Sequence, residues 1–598
     1  MNPNSLSPDF EYSKRLSERE ATVKRLQQKH IWLGNVRIAL FIAIAILWWK
    51  AGTKGSPYFY WLAAAILVFI GLIVVHRRIV RTMQTAKRAA ALYQRGLARI
   101  EDRWYGSGDT GEKFRTPGHV YAEDLDILGE DSLFQLLCSA RTQMGEDALA
   151  QWLLTPASLP VVLQRQAAVQ ELKERLDFRE YLAVVGETDK IKADPMKLTT
   201  WANQESGFDP RRWWPLAMAM AALTTAALVY GIVVRWFTPF LALATTNFII
   251  LYLLRPKLEL MFAGLDDASS HLSALAEILR RIETENFEGP LLKSLQAQLI
   301  SSGHSSSEGI RRLSTLWDYE ESRHNMIVKL LDFMVLYSVH VAVLLQAWRK
   351  RYGRSIQAWL NTVAEIEALV SLSAYAYEHP GDPFPEFTNP AESPRFAGES
   401  LGHPLLPQAA CVRNNVTLER NNPVLMVSGS NMSGKSTLLR TVGINTVLAM
   451  MGAPVRAGRM QLSPLRLGTC IRISDSLHKG VSHFYAEIQR IRDVVDLSRS
   501  GPLLFLFDEV LQGTNSHDRR VGAEAILRTL LNQGALGMVT THDLALTSTA
   551  DVFPGRIRNV HFQEKLDAGK LSFDYRLREG VVTTSNGIEL MKSIGLEV

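Results

Sequence analysis

The stretch with the most chemistry in it is Gly429-Ser430-Asn431-Met432-Ser433-Gly434-Lys435-Ser436-Thr437. Gly429 and Gly434 let a turn bring its N–H groups against phosphate oxygens. Lys435 can reach β- and γ-phosphates, and the Ser436 hydroxyl suits Mg²⁺. An apolar β-type run, Val424-Leu425-Met426-Val427, leads into the turn, and a helical pattern begins at Thr437-Leu438-Leu439. Strand, glycine spacing and helix together make a P-loop, so the predicted ligand is a nucleoside triphosphate with Mg²⁺. A second stretch, Leu503 to Phe507, reads as a buried parallel strand ending in the carboxylates Asp508 and Glu509. Asp508 fits the Walker-B role of holding Mg²⁺ through its water shell, and Glu509 is placed to polarise an attacking water.

These residues need a scaffold, and 598 residues are too many for one core. Cys138, Cys411 and Cys470 lie far apart and offer neither a metal spacing nor a disulfide framework, which suits a reducing compartment. A net charge of +6 and a pI near 9.0 permit an anionic partner without choosing between nucleic acid and lipid headgroups.

Apolar runs account for the unusual organisation. Ile31 to Trp49 is apolar apart from Asn35 and Arg37, and Pro57 to Val75 carries no charge. Trp213 to Val234 and Trp236 to Leu254 repeat the pattern, with Arg235 between them. Two transmembrane hairpins are predicted. Lys24, Arg25 and Lys29 precede the first run, Arg77, Arg78 and Arg81 follow the second, Arg211 and Arg212 precede the third, and Arg255 and Lys257 follow the fourth. The opposite turns hold only Lys50, Lys54 and Arg235, so positive-inside places the N-terminus and the nucleotide site in the cytoplasm and the protein in the inner membrane. The spans contain no Asp, Glu or Lys to mark a transport pathway. A fifth run, Phe333 to Trp348, is short for a span, and crossing there would put the P-loop on the far side of the membrane from residues 77 to 212. It is predicted to be one packed soluble helix.

Several ordered motifs resemble one family. The run SGSNMSGKSTLLRTVG is similar to the P-loop of the MutS family, DNA mismatch repair ATPases related to ABC-type ATPases. Gly402-His403-Pro404 and Val412-Arg413-Asn414-Asn415 resemble its His-Pro and Pro-Asn-Asp elements, and Gly480 to Glu487 its Ser-Thr-Phe-x-x-Glu motif. Asp508-Glu509 with Gly513-Thr514-Asn515-Ser516 resembles its Asp-Glu-x-x-x-Gly-Thr-Ser stretch, Thr541-His542-Asp543 its Thr-His motif, and Ser585 to Leu596 its closing element. Asp131 to Pro156 and Ala364 to Leu372 resemble its core domain and lever helix. The resemblance covers roughly 118 to 200 and 257 to 598.

It implies an ATP hydrolase working as a homodimer. Ser482 would touch the γ-phosphate held by the partner subunit, His542 would sense the γ-phosphate, and Asn431 would support the nucleotide pocket. The departures are equally informative. The soluble mismatch-wedging domain is replaced by membrane spans, and there is no room for the clamp. Phe384-Pro385-Glu386 and Phe562-Gln563-Glu564 match the wedge pattern only by chance. Leu511-Gln512 stand where the family has Gly-Arg, Arg519 where it has Gly, and His483 where it has Thr.

The expected fold is an α/β P-loop NTPase of ABC/MutS type at the C-terminus, with an all-α lever and core part and transmembrane helices. Its predicted segments are a cytoplasmic N-terminal helix (1–30), hairpin 1 (31–76), a basic helix and linker (77–117), core and lever helices (118–212), hairpin 2 (213–254), lever helices (255–379), a Pro-rich linker (380–394) and the ATPase domain (395–598). Two functions follow: ATP-dependent binding of mismatched or structured DNA, or an ATP-driven conformational switch acting on a membrane or protein partner.

Overall fold

A computed structural model describes residues 7–54, 57–185, 195–204, 207–263, 268–301, 303–323, 325–389, 392–472, 483–567 and 570–582. The chain divides into two compact units, each assembled from separate stretches of sequence.

Unit 1 takes residues 1–97, 140–145 and 175–367. Its longest elements are α1 (Pro8–Lys54) and α2 (Pro57–Ile100). Each opens on a proline, where the missing N–H would have no helical partner anyway. The predicted boundaries at residues 30 and 76 are not breaks, because α1 runs unbroken into the first apolar run and α2 runs unbroken out of the second. α3 (Pro210–Val234) is capped by Asp209, whose carboxylate accepts from the Arg211 N–H at 3.0 Å, and closes on Arg235 in left-handed conformation (φ 58°). α4 (Thr238–Phe262) returns beside it. These four helices are long and apolar enough to cross a membrane. Only 6% of the apolar window is buried in α1 and in α2, against 22% in α3 and 11% in α4.

Outside the apolar runs, α1 and α2 are held by polar contacts. Arg15 pairs with Asp177 at 2.6 Å, the Arg179 guanidinium donates to the Tyr12 hydroxyl at 2.7 Å, and the Tyr93 hydroxyl donates to Glu180. The predicted single helix over Phe333 to Trp348 is instead two, α5 (Met326–Val335) and α6 (Tyr337–Tyr352), bent by 83° at Leu336. Leu336 adopts φ 52°, so the hydrogen-bond ladder stops there, which uniform apolar composition did not reveal. α7 (Ile356–Glu378) belongs to unit 1 up to Glu367 and to unit 2 from Ala368.

Unit 2 takes residues 98–139, 146–174 and 368–598. Its centre is a six-stranded sheet of β1 (Val424–Ser428), β2 (Arg466–Cys470), β3 (Leu503–Phe507), β4 (Leu536–Thr541), β5 (Ile557–Asp567) and β6 (Lys570–Glu579). The order is β6-β5-β1-β4-β3-β2, parallel except for the β5–β6 hairpin. β1, β3 and β4 are buried at every position, as near-continuous apolar runs require when both faces are covered. α8 (Lys435–Met451) follows β1. A second sheet pairs Glu386–Phe387, Arg459–Leu462, Phe396–Leu401 and Asn414–Leu418, so the predicted Pro-rich linker contributes a strand of its own.

The stretch 98–139 also departs from expectation, because it is part of this α/β unit rather than of a separate helical one. The Asp124 carboxylate accepts from the Thr469 hydroxyl at 2.5 Å and from the backbone of Ile471 and Arg472 at 3.0 and 2.9 Å, fixing the stretch to the end of β2. Arg99 forks onto Glu378, with both bonds at 2.6 Å.

Candidate nucleotide site

Three parallel strands end side by side, and the loops after them carry the predicted site. β1 delivers the P-loop, β3 delivers Asp508 and Glu509, and β4 delivers His542. In open α/β sheets this carboxyl edge is where ligands bind. The turn from β1 into α8 needs positive φ at Gly429 (151°), Met432 (68°) and Gly434 (102°). A side chain at Gly434 would meet the Tyr575 ring at 3.1 Å. α8 begins at Lys435, so its unpaired N–H groups and positive dipole end face the turn.

Lys435 is buried, with Nζ donating to the carbonyls of Gly429 at 2.9 Å and Ser430 at 2.8 Å and lying 3.5 Å from Glu509. Burial pulls its ammonium pKa below the usual range, opposed by the charges of Glu509 and Asp508. Asp508 accepts from the Thr540 hydroxyl, which itself accepts from the Glu509 N–H at 3.0 Å. One β4 side chain thus holds both carboxylate residues. Glu509 further accepts from Gln512 and sits 3.4 Å from Nδ1 of His542. The cavity beside these groups is about 690 Å³, and Asn431, Ser436, Thr437, Val412, Phe562 and Tyr575 are among the residues that border it. The polar groups suit phosphate. The Phe562 and Tyr575 rings suit a nucleobase.

The residues fit Mg²⁺ and a nucleoside triphosphate on a direct observation. The Ser430 and Ser433 hydroxyl oxygens are buried and find no hydrogen-bond partner among the described residues, a condition that phosphate oxygens would relieve. Ser436 and Asp508 border the same cavity, and a hydroxyl and a carboxylate are donors that suit Mg²⁺. Of the predicted residues, 429–437, Asp508, Glu509 and His542 come together. Ser482 and the closing element Ser585 to Leu596 lie outside the described residues.

Several contributors were not foreseen. Tyr575 comes from β6, far along the chain, and Asn414 fixes it: the Asn414 amide donates to the Tyr575 carbonyl at 2.9 Å and its oxygen accepts from the Leu577 N–H at 2.8 Å. The loop after Glu509 is held by groups seen in the sequence only as departures. Leu511 takes φ 59° where the resembled family has Gly. Its carbonyl accepts from Nε of Arg519 at 3.1 Å, while Nη2 of Arg519 donates to the carbonyls of Gln512 and Thr514 at 3.2 and 3.3 Å. Arg519 also lies 3.7 Å from Asp543, and buried Glu487 accepts from the Leu511 N–H. A left-handed leucine costs roughly 1–2 kcal/mol, which this bracing offsets.

Sheet order, glycine turn and paired carboxylates define the class as an α/β P-loop NTPase. Residues 425–597 match the family model described as MutS domain V. Residues 425–597 are thus a MutS-family domain. The chain is 34% identical over 210 residues to an Endonuclease MutS2 of Thermus thermophilus, and 30% identical over 246 residues to a DNA mismatch repair protein MutS of Natronomonas pharaonis. A DNA mismatch repair protein MutS of Staphylococcus haemolyticus is 27% identical over 304 residues. The matches cover 35%, 40% and 49% of this chain but only 27%, 28% and 34% of those relatives.

Proposed function

We propose that the protein is a membrane-anchored ATP hydrolase that uses MutS-type nucleotide chemistry to drive a conformational cycle. The observation that carries the reading is the convergence of Lys435, Asp508 and Glu509 on one cavity at the carboxyl edge of the sheet, with His542 3.4 Å from Glu509. ATP phosphates would displace Lys435 Nζ from the Gly429 and Ser430 carbonyls, and Ser436 and Asp508 would hold the Mg²⁺ that neutralises them. Glu509, released from Lys435, orients the attacking water, and His542 follows the γ-phosphate through Glu509. Ser482 of a second copy completes the site, so the working form is a homodimer.

Anchoring rests on α1 to α4. Continuous apolar surface on this scale is not left in water by soluble domains. The basic flanks support a cytoplasmic N-terminus and nucleotide unit. A cysteine introduced at Ser107 is then expected to resist an impermeant thiol reagent in intact cells and to react after lysis. Labelling in intact cells refutes the topology.

The macromolecular ligand has two readings. The relatives named for DNA mismatch repair support mismatched or structured DNA. The membrane helices support a membrane or protein partner. Titration of the purified full chain with homoduplex, mismatched and branched DNA, with and without ATP, decides between them. Salt-dependent binding that favours one structure and responds to ATP supports DNA, and indifference to all three removes it.

A further inference from the structure

The break between α5 and α6 lies against the fourth apolar helix in a particular way. Asn247 of α4 is fully buried, and its amide donates to the carbonyls of Phe333 at 2.9 Å and Met334 at 3.3 Å, with the Thr224 hydroxyl of α3 at 3.1 Å. Those carbonyls lose their helical partners at Leu336. On the other side of the break, Asp332 accepts from the Ser338 N–H at 2.8 Å and its hydroxyl at 2.5 Å. Side chains, one of them Asn247 of the apolar hairpin, therefore satisfy polar groups that a broken helix exposes. Broken helices inside a bilayer need this, since no water is available there.

Both ends of the pair lie at the other end of α4. Before α5, the Arg323 guanidinium stacks 4.3 Å from the Phe262 ring. At the end of α6, Arg349 stacks 4.2 Å from Trp201, whose indole N–H donates to the Met261 carbonyl at 2.9 Å. From Phe262 to Asn247 is fifteen residues, about 22 Å at 1.5 Å each. Asn247 is seven residues inside the apolar run from Leu254, about 10 Å into a hydrocarbon core of about 30 Å. The chain thus rises along α4 to that depth, turns at Leu336 and comes back down.

We propose that Met326–Tyr352 is a re-entrant helix pair that dips into the bilayer and leaves by the face it entered, with lipid acyl chains as the partner of α5. The proposal rests on the membrane anchoring proposed above. Leu330 and Leu331 are 66% and 42% exposed, and Phe333 packs at 5.8 Å against Phe248, itself half exposed on α4. The apolar face of α5 therefore continues that of the hairpin. Lys350 and Arg351, both exposed, mark the return to the headgroups. Re-entry also resolves the topological objection to inserting this run, because a segment that enters without crossing leaves everything after it on the original side.

The test uses the full chain in phosphatidylcholine–phosphatidylglycerol vesicles, with Cys138, Cys411 and Cys470 replaced by serine. A bimane label on Leu331→Cys is expected to be quenched by mid-chain brominated lipid within about twofold of a label on Ile249→Cys, on the exposed face of α4. Ser322→Cys and Lys350→Cys should react with an impermeant maleimide from the same side. Quenching at Ile249 without quenching at Leu331 overturns the proposal, leaving α5 in water or under a second copy of the chain. Ser322 and Lys350 on opposite sides overturn it in favour of a full crossing. An unquenched Ile249 label overturns the anchoring itself and the proposal with it.

Discussion

Lys435 and Glu509 face each other across 3.5 Å, yet their substitutions should behave differently. Lys435→Ala removes a charge-assisted contact to phosphate, and roughly a hundredfold loss of ATP affinity is expected by equilibrium binding. Glu509→Gln keeps the shape and removes the base, so affinity should stay within about twofold while single-turnover hydrolysis falls by about 10²–10³. Equal loss of affinity in both variants would end the assignment. Arg519 offers a finer test. Its hydrogen bonds hold a loop in which Glu509 (φ 48°) and Leu511 (φ 59°) are both left-handed. Arg519→Ala should lower kcat by about tenfold with ATP affinity nearly unchanged. A parallel loss of affinity and melting temperature would mean that Arg519 is only structural. The P-loop and the carboxylates were legible because their chemistry forces residue types at short spacing. Arg519, Thr540 and Tyr575 were not, because arginine, threonine and tyrosine acquire these roles only once the strands are ordered.

At the scale of elements, α7 carries a group with its own signature. Glu367 is buried, and its carboxylate accepts from the Thr142 N–H at 3.1 Å and hydroxyl at 2.5 Å. Burial raises its pKa to about 7, against the pull of the Thr142 hydrogen bonds. The folded state therefore holds this proton more tightly than the unfolded chain, and between about pH 4.5 and 7 stability falls as pH rises. The contribution amounts to roughly 3 kcal/mol across that window. Glu367→Gln should flatten the acid-side advantage and raise the melting temperature at pH 8 relative to the parent. If the pH profile of melting is unchanged, the carboxyl is ionised in the folded state. Helix periodicity made α7 legible, but nothing in its sequence marked Glu367 as buried. The break at Leu336 was equally silent, since neither proline nor glycine stands there and the partner that permits it, Asn247, is about ninety residues earlier.

For the whole molecule, the proposed composite site predicts complementation. A Lys435→Ala chain and a Ser482→Ala chain should each be inactive. Mixed, they should recover one working site per heterodimer, because the intact P-loop of one meets the intact Ser482 of the other. A mixture as inactive as its parents, with heterodimers shown to form, places Ser482 in its own subunit's site or in a structural role. The apolar hairpins and the nucleotide domain were legible from composition and motif. The membership of residues 98–139 and 146–174 in the α/β unit was not, because their helical spacing says that they pack and not on what.

That membership has a consequence for how the protein is made. Ile127, Leu133, Phe134 and Leu172 are buried in unit 2, yet β1 begins at Val424, about 250 residues after Leu172 leaves the ribosome. At the usual pace of about 5–20 residues per second, these side chains wait roughly 12–50 seconds for the C-terminal part of unit 2, and the second apolar hairpin is synthesised in that interval. The newborn chain therefore carries part of unit 2 without its C-terminal half through that interval. Slowed elongation between residues 174 and 424 should be felt as aggregation rather than as lost catalysis.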